Sequence, residues 1–116
     1  MTIRISEVFS PTPGARFVTD GEFSGEEFRE TILIPQFQEA IKNREKLIID
    51  LDGGYGYATS FLEESFGGLA RKFSVQLVLD TLDFISDDEP VLVDSIKRFI
   101  NSANNTRKIG ARCEDR

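Results

Sequence analysis

The sequence contains no histidine and no tryptophan, and it has a single cysteine among its 116 residues. Without histidine, the chain lacks the side chain that most often acts as a general base or metal ligand near neutral pH. Cys113 has no second cysteine with which to form an intrachain disulfide or a thiolate-rich metal site, and no base to activate its thiol. We therefore predict no catalytic residues, no bound metal and no cofactor.

Long apolar segments and an excess of basic residues are missing too. No run reaches the roughly 18 apolar residues of a membrane-spanning helix, and the first residues, "MTIRISEVF", do not have the pattern of a secretion signal. The formal net charge of −6 repels the phosphates of nucleic acids. These features predict a cytoplasmic protein that binds neither membranes nor nucleic acid.

The residues that are present suit one globular domain. Hydrophobic residues make up 40% of the chain and include ten phenylalanines, which is enough to form a single core. We assign residues 1–103 to this domain. Residues 104–116 are polar and partly basic, and we expect them to form a flexible C-terminal tail.

Strand-like and helix-like patterns alternate along the domain. We predict strands at "TIRISEVF", "ARFVT", "KLIIDLD" and "DFIS", of which the third ends at Asp52 and is apolar enough to be a buried central strand. Helices are predicted from Gly25 with a bend at Pro35, after the glycine-rich loop, at "SVQLVLDTL" and after Pro90. The predicted fold class is α/β, with a small mixed β-sheet packed against helices.

Two helix starts have the spacing of a capping box, in which a serine and a glutamate three residues later exchange hydrogen bonds with the backbone. Ser24 with Glu27 predicts one such start, and Ser60 with Glu63 predicts the other. The second helix contains the pair Gly67 and Gly68. Glycine is unfavourable in a helix interior, so we expect another backbone to pack closely there.

Three stretches resemble a known family: "DGEFSGEEFRE", "IIDLDGGYGYATSFLEESFGGLARK" and "SDDEP". They are similar to the STAS-like domain family of unknown function, which is related to bacterial anti-sigma factor antagonists and to the regulatory domains of sulphate transporters. The similarity extends from about Gly21 to Phe99. It implies a compact α/β domain with a phosphorylatable hydroxyl at the start of the helix after a central strand. In the antagonists, a partner kinase with a Bergerat-type ATP site modifies this hydroxyl.

The resemblance places Thr59 at the phosphoacceptor serine and Ser60 at the serine after it. Ala58 stands where the antagonists usually have aspartate, and Phe61 where they have glycine. The implied function is a non-enzymatic regulatory module that switches between protein partners, one of them a Bergerat-type ATPase kinase. Thr59 is the first candidate for phosphorylation, because Ser60 is expected to be engaged as a helix cap.

The loop before this helix has features of a binding surface that do not depend on the resemblance. Glycines permit positive φ and close approach of a partner, and tyrosines supply amphipathic contact area. A helix start also favours a nearby anionic group. We predict a partner-binding loop consisting of Asp52, Gly53, Gly54, Tyr55, Gly56, Tyr57 and Phe61. The simpler interpretation is that the glycines only turn the chain.

Two alternative functions stay open. A small magnesium-dependent phosphoryl-transfer enzyme would need its acidic residues to converge at the strand ends; the candidates are Asp50, Asp52, Asp87, Asp88 and Glu89. A self-associating structural subunit would instead place Phe61, Ser65 and Gly68 at a symmetric interface, as a homo-oligomer.

Overall fold

The computed structural model describes the backbone of residues 1–114 and the side chains of residues 1–103. The predicted tail at 104–116 lies outside the described side chains, and its flexibility stays a prediction. In chain order the helices and strands are β1 (Thr2–Arg4), α1 (Ile5–Val8), a 3₁₀ turn (Val18–Asp20), α2 (Gly25–Phe28), a first π segment (Arg29–Leu33), α3 (Ile34–Asn43), β2 (Leu47–Asp50), α4 (Thr59–Leu62), a second π segment (Glu63–Gly67), α5 (Gly68–Lys72), α6 (Val75–Thr81), β3 (Leu82–Ile85) and α7 (Val91–Glu114).

The three strands form one sheet in the order β1-β2-β3. All pairs are parallel, with Ile3 opposite Ile49 and Ile49 opposite Phe84. The predicted α/β class is confirmed, and "KLIIDLD" contains the central strand, which ends at Asp50 rather than at the predicted Asp52. The sheet is parallel rather than mixed, because each strand is joined to the next by helices that return the chain to the same end.

The N-terminal region contains one short strand where we predicted two. After Arg4 the chain turns into a single helical turn, α1, in which Ile5 stays fully buried. "ARFVT" forms no strand, because the carbonyls of Ala15 and Arg16 accept hydrogen bonds from the amides of Gly25 and Glu26. These carbonyls are therefore unavailable to a sheet.

The first long helix, formed by α2, the first π segment and α3 over residues 25–43, begins where the sequence predicts and contains the π segment just before Pro35. The Ser24 hydroxyl accepts a hydrogen bond from the Glu27 amide at 3.0 Å, which confirms the serine half of the predicted capping box. Pro35 has no amide hydrogen and its ring crowds the carbonyl four residues earlier. The first π segment ends at Leu33, two residues before Pro35, and the wider turn accommodates the proline without ending the helix.

The helix after the glycine loop begins at Thr59, and its cap differs from the prediction. Ala58 occupies the cap position and no side chain caps the helix. The Ser60 hydroxyl donates instead to the Gly14 carbonyl, at 3.4 Å. A capping box cannot form because the Glu63 carboxylate is engaged by two arginines and does not return to the helix start.

Glycines allow close packing between the first long helix and the second, which is formed by α4, the second π segment and α5 over residues 59–72. The groups that approach each other differ from those predicted. A Cβ at Gly25 would lie 2.6 Å from the Phe61 carbonyl oxygen, so the close backbone approach occurs at this glycine. At Gly68 the neighbour is a side chain, since a Cβ there would lie 2.5 Å from Nη1 of Arg29. The small residues thus let one helix contact the other and leave space for a guanidinium.

The core lies between the sheet and the helices and is rich in phenylalanine. Phe28, Phe37, Phe61 and Phe66 are fully buried. Phe66 contacts Phe84 of β3 with ring centroids 5.8 Å apart, which joins the helical layer to the sheet. Helix α7 packs on the second π segment and α5. Among the described residues, no helix has the length and apolarity needed to cross a membrane.

Candidate functional site

The glycine-rich loop lies at the carboxyl end of the central strand. Strand β2 ends at Asp50, and the Leu51 amide still donates to the Ile85 carbonyl at 2.8 Å. The loop then continues to Ala58, where the helix begins. Crevices at the carboxyl ends of parallel strands are the usual ligand-binding positions in α/β proteins. The fold therefore presents the predicted loop at the edge of the sheet where binding residues commonly lie.

The acidic residues around this loop hold the backbone in place. The two Asp52 carboxylate oxygens accept hydrogen bonds from the amides of Asp87 and Asp88, at 3.1 and 2.9 Å. Asp88 accepts in turn from the Gly53 amide at 3.2 Å, and Asp50 accepts from the Asp52 amide at 3.0 Å. These reciprocal bonds join the glycine loop to the segment between β3 and α7.

The same bonds bear on the alternative of a magnesium site. A hard cation requires several oxygen ligands directed at one point. Within the described part of the chain, no group of three or more aspartate, glutamate or cysteine side chains lies close enough together to hold a metal ion. The Asp52 oxygens are directed at backbone amides instead.

Two of the loop glycines adopt backbone angles that other residues rarely reach. Gly53 has φ of +90° and Gly56 has φ of +143°. Gly54 is different: its φ is not positive, but a Cβ there would lie 2.9 Å from the Pro11 carbonyl oxygen. The predicted need for glycine is thus conformational at two positions and steric at the third.

The two tyrosines of the loop have opposite environments. The Tyr57 hydroxyl donates to the Leu51 carbonyl at 2.9 Å, and its ring stacks on Phe61 with centroids 6.1 Å apart. Burial, followed by the nearby charges of Asp50 and Asp52, raises the pKa of Tyr57 to about 12. Tyr55, in contrast, is 87% exposed. Tyr57 is therefore part of the loop's support, and Tyr55 presents its ring to solvent.

The three residues predicted to be functional at the helix start, Thr59, Ser60 and Phe61, differ in their exposure to solvent. Thr59 is exposed and Ser60 is partly buried. Phe61 is fully buried and stacks between Tyr57 and Phe9, so its prediction as a partner-binding residue is wrong. Apolar residues in a loop motif cannot be assigned to surface or core until the helix face is known.

Burial also overturns the predicted symmetric interface. Phe61 and Ser65 have no exposed surface, and Gly68 is buried against Arg29. These residues contact the first long helix of the same chain. They are therefore unavailable to a second copy.

An ion-pair network lies behind the helix start. Glu63 pairs with Arg16 and Arg71, at 2.5 and 2.7 Å, and Glu64 pairs with Arg29 at 2.6 Å. Arg29 also donates to the Glu64 carbonyl at 2.8 Å. Burial alone would raise the pKa of Glu63, but hydrogen bonds from Arg71 and Arg16 outweigh this effect and hold the pKa below its usual value. The two acids closest to the helix start are thus already matched by positive charge.

Sequence reasoning missed the segment 11–16, which we call the strap. Its carbonyls at Pro11 and Pro13 accept hydrogen bonds from the amides of Tyr55 and Ala58, at 2.7 and 3.5 Å. Gly14 accepts from the Ser60 hydroxyl, and Arg16 reaches Glu63. The prolines, which lack donors and leave their carbonyls available, were the only available signal of such a segment. The strap therefore bonds to the residues just before and just after Thr59, and it holds the loop backbone at Tyr55.

Comparison with protein families finds one matching model, the STAS-like domain of unknown function (DUF4325), over residues 24–92. The chain belongs to this family. The match includes both long helices, the central strand, the glycine loop and the beginning of α7. Comparison with curated proteins and with solved structures finds no match.

The STAS-like family assignment confirms the resemblance noted in the sequence. It agrees with the observed α/β architecture, in which a helix with a hydroxyl residue at its start follows the central strand. The strap and β1 lie before the matched residues, so part of the loop's support comes from outside the family match.

Proposed function

We propose that this STAS-like domain is a non-enzymatic protein-interaction module, whose binding surface is formed by the glycine loop and the first turn of the following helix. The observation that carries the proposal is the exposed ring of Tyr55 on a loop whose backbone is fixed on both sides. The strap holds one side and the segment 87–88 holds the other. A rigid loop loses little conformational entropy on binding, and tyrosine is enriched in protein interfaces.

We further propose that phosphorylation of Thr59 by a Bergerat-type ATPase kinase switches this surface between partners. Thr59 is exposed at the first position of the helix, where the amides of Thr59 and Ser60 precede the regular helical hydrogen bonds. These amides and the helix dipole stabilise a phosphate. The neighbouring Glu63 and Glu64 are paired with arginines, so their repulsion of a phosphate is reduced.

A phosphate on Thr59 would add about two negative charges to the surface beside Tyr55. The domain tolerates this charge because the helix start favours it, whereas a partner that docks without countercharge does not. The switch therefore acts on binding rather than on folding. The proposal places the protein in the cytoplasm, where such a kinase and ATP are available.

Affinity capture from the native host, followed by quantitative mass spectrometry, tests the proposal. We expect the parent chain to retain a partner that Tyr55→Ala and Thr59→Glu lose. Thr59→Gln has almost the same shape as Thr59→Glu without the charge, and it should retain the partner. Leu77→Ala removes an exposed apolar side chain from α6, away from the loop, and is the control for Tyr55→Ala. Equal capture by the parent and Tyr55→Ala would refute the proposed surface.

The non-enzymatic part of the proposal has a separate test. Purified protein with magnesium should show no phosphatase or nucleotidase activity above the level of Asp52→Asn. If the parent has such activity and Asp52→Asn abolishes it, the protein is an enzyme and the interaction proposal fails.

A further inference from the structure

An open groove lies between β3 and α7, away from the glycine loop. Its volume is ≈ 680 Å³. Both elements contribute apolar and charged groups to it; the lining includes Ile48, Leu79, Asp83, Phe84, Val93 and Lys97. From the residues that line the groove, we propose that a second copy of this chain occupies it. The two β3 strands would pair in antiparallel orientation about a twofold axis.

The outer edge of β3 offers unused backbone groups. The Ile85 carbonyl accepts from the Leu51 amide, so the backbone groups of Ile85 face inward, towards the chain that continues β2. Along a strand, successive residues direct these groups to opposite sides, so the amide and carbonyl of Phe84 point outward at the groove. Strand β3 is the last strand of the sheet. An edge strand with free donors and acceptors is a template for pairing with another chain.

The position of Phe84 determines the register of the pairing. If Phe84 lies opposite Phe84 of the second copy, each residue exchanges both backbone hydrogen bonds with the other, as in the closely bonded pairs of antiparallel sheets. This register places Asp83 opposite Ile85 of the second copy. It therefore avoids placing the two Asp83 carboxylates directly opposite each other, which would be unfavourable.

The charges in the groove favour a second copy over a partner of one charge sign. Asp83 and Lys97 are both exposed, and neither forms an ion pair with any described side chain. Arg4 on the opposite edge strand, by comparison, pairs with Asp50 and Glu7. When the β3 strand of one copy enters the groove of the other, Asp83 of each copy approaches Lys97 of the other. One acid and one base in the same groove are self-complementary under a twofold operation.

This local complementarity is needed because the chain as a whole opposes self-association. Its net charge of −6 makes two copies repel each other. A partner of unrelated sequence would have to supply an acid and a base at matching positions, whereas a second copy supplies both automatically. The inference does not depend on the proposed function, because the groove and the glycine loop share no residue.

Sedimentation equilibrium of the full chain over a range of concentrations tests the inference. We expect the parent to form a dimer. Asp83→Lys places two bases in each groove and Lys97→Asp places two acids there, so each variant alone should dimerise at least about tenfold more weakly. Both positions are exposed, and far-ultraviolet circular dichroism should show that both variants remain folded.

The decisive step is to mix the two variants in equal amounts. Across a twofold interface, the bases of one variant face the acids of the other, so the mixture should form a heterodimer although each component alone does not. Lys42→Asp removes an exposed lysine of α3 outside the groove and should dimerise like the parent. A parent that is monomeric at all concentrations, variants that dimerise as strongly as the parent, or a mixture that stays monomeric would each overturn the inference.

Discussion

Replacing Gly25 with alanine tests the packing that holds the binding loop's helix against the first long helix. The added Cβ would lie 2.6 Å from the Phe61 carbonyl oxygen, 2.9 Å from the Glu64 Cβ and 3.2 Å from the Ser65 hydroxyl oxygen. The carbonyl and the Cβ are fixed to the helix and cannot rotate away. The helices must therefore separate.

The size of the effect follows from this geometry. A separation of about 0.5–1 Å forfeits roughly a quarter to a half of the dispersion attraction of the contacts that it opens. Alanine favours a helix by up to about 1 kcal/mol over glycine, but less in the first turn, where Gly25 lies. We expect overpacking to dominate and Gly25→Ala to lower the free energy of unfolding by about 1–3 kcal/mol.

Urea denaturation followed by circular dichroism measures this change, with Gly14→Ala as the matched control. A Cβ at Gly14 would have no neighbour within 4 Å, and its φ lies outside the range from +20° to +160°. Gly14→Ala should therefore be neutral or stabilising by up to about 1 kcal/mol. If Gly25→Ala unfolds at the same urea midpoint as Gly14→Ala or at a higher one, the close approach of the two helices is wrong.

Three further predictions concern single side chains. Ser24→Ala should lower the free energy of unfolding by about 1 kcal/mol, because it removes a helix cap. Ser60→Ala should lower it by less than about 0.5 kcal/mol, because Ser60 caps no helix. Equal losses in urea denaturation would contradict the observed caps. Because the pKa of Tyr57 is raised from 10.0 to about 12, the native state retains a proton that the unfolded chain releases, and stability should fall as the pH rises between these values. Tyr57→Phe should remove that part of the pH dependence, and an unchanged alkaline profile would argue against burial of the hydroxyl. The pKa of Glu63 is lowered from 4.5, so its contribution is complete above this value and is lost as the pH falls below it. Glu63→Gln should flatten the acid limb of the stability profile, and an identical limb would show that the arginine pairs contribute nothing.

The sequence was sufficient to predict elements whose signals are local. The apolar run at β2, the Ser24 cap and the helix after Pro90 each depend on residues close in the chain, and the structure confirms them. The irregular helix before Pro35 belongs to the same group, since the missing amide acts on the residues before the proline, where the π segment lies.

Features that depend on contacts distant in sequence could not be predicted in this way. Ser60 and Glu63 have the spacing of a capping box, but Arg16 and Arg71 engage the glutamate first. "ARFVT" has a strand-like composition, but its carbonyls bond to the start of α2. Phe61 lies beside an exposed loop and is nevertheless in the core. In each case a tertiary contact overrides the local pattern.

In the candidate site, too, the local features could be predicted from the sequence and the long-range contacts could not. The glycine requirement at positions 53 and 56 and the exposure of Tyr55 and Thr59 agree with the loop hypothesis. The strap lies about 45 residues earlier in the chain, as the sequence separations of its bonds to the loop and helix show. Its pairing with the loop could not be seen without the fold.

The most direct test of the proposed function is a binding titration with the partner recovered by affinity capture, comparing Thr59→Glu with Thr59→Gln. The two variants differ by one charge at the helix start and little else. The account predicts that Thr59→Glu binds at least about tenfold more weakly than Thr59→Gln, with both domains equally stable to urea. Equal dissociation constants for the two variants would contradict a charge-controlled binding surface at Thr59.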